Sequence, residues 1–85
     1  MFEMAQPGKN MPAKLARHAR WLAANVRRLR QDAGLSQQGL AEAAEIRQAL
    51  ISEIERGEAN PTLESLVKLA EALKVDLATL FDSGR

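Results

Sequence analysis

The chain has no cysteine, a single histidine, and no apolar run that approaches the roughly 18 residues of a membrane span. Without thiols neither disulfides nor thiolate metal sites can form, which is compatible with a reducing cytoplasm. A basic stretch followed by an apolar one is missing at the N-terminus, so a secretory signal is not expected. Catalytic signatures are also scarce. There is no Gly-rich phosphate loop and no His-Glu-x-x-His spacing, and His18 stands alone, leaving only carboxylates at helical spacings that read as solvent-facing. An enzyme, a metal site and a cofactor are therefore not expected. With 85 residues the chain suits one domain, and a domain of this size buries only about 60% of its unfolded surface, so association into a dimer would add stability.

Charge is short in one region and abundant in another. The net formal charge is only +1, yet residues 1–30 carry seven Lys and Arg against the one acid Glu3, while the remainder carries five bases against ten acids. The basic first third, with Arg27 and Arg28 near its end, fits either phosphate neutralisation or a solvated helix face.

Helix signals fill most of what remains. Ser36 can cap a helix starting at Gln37, with Leu35 and Leu40 spaced as a hydrophobic staple. After a corner at Glu45 and Ile46, the positions Ile46, Leu50, Ile51 and Ile54 form a second apolar stripe that Gly57 closes. Helices this short are marginal alone and need support. Upstream, Leu22, Val26, Leu29 and Ala33 run to Gly34; downstream, Leu66, Leu69, Ala70 and Leu73 follow Thr62; Asp76 opens a last segment holding Leu80 and Phe81. These segments predict an all-α fold with five helices over residues 22–82.

The N-terminal part divides at Pro12. Residues 1–11 lack periodicity and contain Pro7-Gly8, so a disordered tail is expected there, with residues 83–85 as a C-terminal tail. From Pro12 on, Leu15, Ala19, Leu22, Val26, Leu29 and Ala33 alternate by four and three, so the first helix should start near Pro12 and its early turns should pack on the domain or on a second subunit. Trp21 falls off this seam and suits a partly exposed edge.

Landmarks at fixed offsets, Leu29-Arg30, Gly34-Leu35-Ser36-Gln37, Leu40-Ala41, Ile51, Ile54-Glu55-Arg56-Gly57 and Asn60-Pro61, extend to the ending Leu73 to Phe81. This run over residues 22–82 resembles the phage-repressor and Cro-like (XRE-type) helix-turn-helix regulators. The resemblance implies a lambda-repressor-like domain over residues 12–82 that binds double-stranded DNA as a homodimer, with its third helix in the major groove of a near-palindromic operator. By the same resemblance Arg47, Gln48, Ala49, Ser52 and Glu53 become base-reading candidates. Gln37, Arg56 and Asn60 correspond to phosphate contacts, and the basic Arg28 joins them. Arg30 and Glu55 correspond to a structural ion pair, and Leu77, Leu80 and Phe81 to a dimer interface.

Three positions depart from the family pattern. Glu45 occupies a turn position that favours Gly, at a cost on the order of 1 kcal/mol. Arg47 replaces the usual Ser or Thr cap, and Gly39 stands where Glu or Gln would complete a capping box with Ser36. Between Ser36 and Glu58, two bases face five acids. That acidity keeps open an alternative function, a protein-interaction module of antitoxin-like or co-regulator type built on the same fold. Neither a membrane nor a small-molecule ligand is indicated.

Overall fold

Caps mark where each helix begins and ends in the computed structural model, which describes residues 11–84. Helix α1 spans Ala13–Asp32, α2 Gln37–Ala44, α3 Gln48–Glu55 and α4 Leu63–Leu73. Ser36 Oγ accepts the backbone N–H of Gly39 at 2.9 Å to start α2, and Thr62 Oγ1 accepts that of Ser65 at 3.1 Å to start α4. Each satisfies a donor that the first helical turn leaves without a partner. Pro12 lies one position earlier than the N1 site expected of it, as the N-cap of α1. The tail expected over residues 1–11 lies, apart from Met11, outside the described residues.

All four helices stop in the same way. A residue in the left-handed region follows each one, and the chain closes with paired backbone bonds such as Leu35 N to Arg30 O at 3.0 Å and Ile46 N to Ala41 O at 3.0 Å. Glycine fills this position at Gly34 and Gly57, both with φ +73°. Glu45 (φ 59°) and Lys74 (φ 61°) fill it after α2 and α4, where a Cβ makes the conformation unfavourable. The turn between α2 and α3 therefore takes the expected left-handed path despite lacking glycine.

The expectation of five α-helices is corrected to four. Leu77–Phe81 forms a 3-10 helix instead, and Asp76, although at its N-cap, makes no side-chain cap bond. Part of the reason lies across the core. Asn25 of α1 is 7% exposed, and its Nδ2 donates to the backbone carbonyls of Leu80 at 3.0 Å and Asp82 at 2.8 Å. Those acceptors are held by α1 rather than by a further helical turn.

Leu22, Val26, Leu40, Ile51, Ile54, Leu69 and Leu80 meet in one buried cluster. In it α1 packs on α3 and the 3-10 helix, and α2 packs on α3 and α4. Full burial of a Leu or Ile side chain is worth roughly 1.5–3 kcal/mol, so this cluster supplies the support that α2 and α3 lack in isolation. Leu80, with no exposed surface, belongs to this core and is unavailable as an interface residue; Leu77 and Phe81 are half-buried beside it. The early turns of α1 fold back on the domain. Leu15, Ala19 and Leu22 line a cavity of about 160 Å³ with Ala59, Leu66 and Phe81, and the His18 ring meets Trp21 edge-on at 4.8 Å. None of the described helices is long and apolar enough to cross a membrane.

Relieving the left-handed strain should stabilise the fold. Glu45→Gly is expected to raise the urea midpoint by up to about 1 kcal/mol of stability at unchanged slope, since removal of the Cβ strain outweighs glycine's added chain entropy.

Candidate nucleic-acid interface

Period 3.6 splits α3 into two faces. Ile51 and Ile54 point into the core and are fully buried or nearly so, which turns Arg47, Gln48, Ala49 and Glu53 outward into exposed positions. Ser52 is half-buried at the border, where its hydroxyl is engaged by the guanidinium of Arg56. Leu50 is also half-buried and packs against the core. Arg47 has an extended backbone (φ −72°, ψ 142°) and no side-chain cap bond, so the start of α3 keeps outward-facing N–H groups without a capping acceptor.

The orientation of this helix is fixed at its other end. Glu55, in its last turn, is only 5% exposed. Arg30 of α1 grips it bidentately, Nε to Oε2 at 2.6 Å and Nη2 to Oε1 at 3.0 Å, while Arg30 Nη1 donates to the Leu35 carbonyl at 2.9 Å. Gln37 Nε2, at the start of α2, donates to the same Oε1 at 3.1 Å. Arg27 adds an ion contact at 3.5 Å and a bond from Nη2 to the Glu55 carbonyl at 3.3 Å. Burial pushes the Glu55 carboxyl up, but hydrogen bonds from Arg30 and Gln37 and the charges of Arg30 and Arg27 outweigh it, so the net shift is down. The hydrogen bond to Glu55 in turn raises Arg30.

The remaining candidates surround this cluster. Asn60 is exposed and shares a cleft of about 370 Å³ with Ile46, Arg47 and Leu50. Arg56 is exposed but pairs with Glu58 at 3.2 Å. Arg28 is exposed and donates to Asn25 Oδ1 at 3.1 Å. The acidity counted along the motif is partly cancelled from outside it, because Arg27 and Arg30 of α1 enclose Glu55. Glu53 is the acid left on the outward face of α3.

Two residues escaped the sequence reading. Asn25 fastens α1 to the C-terminal segment, and the available signal was its spacing, three after Leu22 and four before Leu29, on the buried stripe. For Arg27, open between phosphate neutralisation and a solvated face, the contact with Glu55 was missed, although Arg27 is three residues before Arg30 and so shares its side of α1.

A helix-turn-helix (HTH_3) family profile matches residues 26–80. The HTH-type transcriptional regulator SutR of Escherichia coli K12 is 41% identical over 61 residues, covering 72% of this chain and 34% of SutR. Control protein C.SmaI of Serratia marcescens is 42% identical over 59 residues, covering 69% of this chain and 70% of that protein. The chain thus spans about a third of the first relative and more than two thirds of the second. Among solved structures, the restriction-modification controller protein C.AhdI of Aeromonas hydrophila superposes with a TM-score of 0.67 at 34% identity, over 82% of this chain and all of that one.

Removing one side of the buried pair leaves an uncompensated charge, so Arg30→Ala should lose roughly 3 kcal/mol of unfolding free energy in urea titrations. The pH dependence follows from the lowered Glu55 carboxyl. Its contribution is fully present above the unfolded value of about 4.3 and is lost as pH falls through the lower folded value. Thermal melts from pH 7 to 3 should show the wild type losing this component, and Glu55→Gln should be less stable at neutral pH with a shallower decline below about pH 4.5.

Proposed function

Because this chain belongs to the Cro-like (XRE-type) helix-turn-helix family of transcriptional regulators, which are not enzymes, we propose that it is a sequence-specific binder of double-stranded DNA. It acts as a homodimer in the cytoplasm. Each subunit lays α3 into the major groove of one half of a near-palindromic operator, with the halves roughly 34 Å apart. The observation that carries this reading is the exposed face of α3, presented at a fixed angle by the Glu55 cluster. With eight residues, α3 is about 12 Å long, comparable to the width of the groove it would enter.

Roles follow from chemistry and position. Arg47 and Gln48 at the open start of α3 can bond bidentately to guanine and adenine, Ala49 can touch a thymine methyl, and Ser52 and Glu53 one turn later can bond further base edges. Gln37, Arg28, Arg56 and Asn60 take backbone phosphates, which set register without reading sequence. Gln37 holds the α2 end of this set in place through its bond to Glu55. Leu77 and Phe81 remain as half-buried apolar residues for self-association. The similarity to control proteins favours regulation by site occupancy, with repression or activation set by where the operator lies.

Sites selected from a random duplex pool should share a two-fold motif, and sedimentation should give a dimer on them. In fluorescence anisotropy Gln48→Ala should lose about 1–3 kcal/mol and relax preference at one base pair per half-site, whereas Asn60→Ala should weaken all sequences alike. Failure of the full chain to bind any genomic duplex at low salt would overturn the DNA reading in favour of a protein-docking role. Equal loss on every sequence for Gln48→Ala would remove that residue from base reading.

A further inference from the structure

A cleft of about 510 Å³ opens where the middle of α1 passes the C-terminal end of α3, lined by Arg20, Arg27, Arg28 and Arg56 around the small residues Ala23 and Ala24. Four arginines line it; Arg27 shares the Glu55 carboxylate with Arg30, Arg56 pairs with Glu58 and Arg28 donates to Asn25 Oδ1, so these arginines, with Arg20, outnumber the carboxylates beside them. Like charges brought together repel one another, and an anion placed among them relieves the repulsion. Arginine suits phosphate in particular, because its planar fork can bond two oxygens at once. The two alanines leave room beside the guanidinium groups for the sugar that a phosphodiester carries.

Two facts connect this cleft to DNA. Gln37 and Arg27 both meet Glu55 Oε1, at 3.1 Å and 3.5 Å, so the start of α2 and the cleft are joined through one carboxylate. Arg20 lies seven residues before Arg27, two helical turns or about 10.5 Å along the same side of α1, equal to the axial rise of about three base pairs of duplex at 3.4 Å each. Arg20 also precedes the family match, which starts at residue 26. We propose that this cleft binds DNA backbone phosphates flanking the operator, with Arg20 and Arg27 as contacts, so that the early turns of α1 lengthen the footprint beyond that of the helix-turn-helix module. The proposal rests on the DNA reading above.

The test measures anisotropy of the full chain against salt on two duplexes carrying its selected site, one with long flanks and one trimmed to the motif. Arg20→Ala should weaken binding to the long duplex about fivefold and reduce its salt slope by about one, yet match the wild type on the trimmed duplex. Arg20→Lys should restore most of the salt slope. Arg17→Ala removes an equal charge from the same extension, where its guanidinium lies 5.9 Å from the Trp21 ring centroid, and should change neither duplex. Wild-type binding with an unaffected Arg20→Ala overturns this proposal alone. The same holds if Arg20→Ala loses as much on the trimmed duplex, or if Arg17→Ala loses as much as Arg20→Ala. If the wild type binds neither duplex, nor genomic DNA at low salt, the DNA reading falls and the proposal with it.

Discussion

Taking the carboxylate of Glu55 out of water costs several kcal/mol unless its charge and lone pairs are met, and the arrangement of three helices follows from how they are met. Arg30 comes from α1, Gln37 from the first turn of α2, and Glu55 itself from the last turn of α3. Apolar packing among Leu22, Val26, Ile51 and Ile54 pulls these helices together without demanding one rotation of each. Directional bonds at 2.6–3.1 Å do demand one. The outward face of α3 therefore points where it does because its inward end is locked at a single carboxylate.

A neutral counterpart works on the far side of α1. Asn25 holds the carbonyls of Leu80 and Asp82, so one helix organises both the recognition element and the C-terminal segment. Arg28 completes that amide by donating to its Oδ1, which leaves none of the buried side-chain polar atoms among the described residues without a partner. A core so small gains from such bonds what it cannot gain from additional burial.

The sequence made the helices legible because their ends are chemically marked. Ser36, Thr62, Gly34 and Gly57 carry the cap chemistry that places the starts of α2 and α4 and the ends of α1 and α3, and apolar periodicity identified the core positions Leu22, Val26, Leu40, Ile51, Ile54, Leu69 and Leu80. Asp76 and Leu80 misled for a shared reason. A good cap and an apolar pair describe a short helix, but whether its carbonyls stay within it depends on Asn25, more than fifty residues earlier in the chain. Leu80, assigned to a dimer interface by the resemblance, is fully buried in the core instead. At the site, periodicity alone separated the inward from the outward residues of α3, while the partnership of Arg27 with Glu55 depends on a helix crossing that no local pattern encodes. Formal charge misled too, since a tally along the motif leaves out Arg27 and Arg30, which meet Glu55 from α1.

The left-handed closures after each helix have a kinetic side. By reversing the chain within two residues they keep the connections from α1 to α2 and from α2 to α3 to a few residues each, so little loop entropy is lost before neighbouring helices can touch. Helical domains dominated by such local contacts fold in microseconds to milliseconds. A chain emerging during synthesis at about 5–20 residues per second would then have its helical hairpins sampling their packed arrangement well before the next residue is added. The recognition helix is in that sense assembled at the pace of translation.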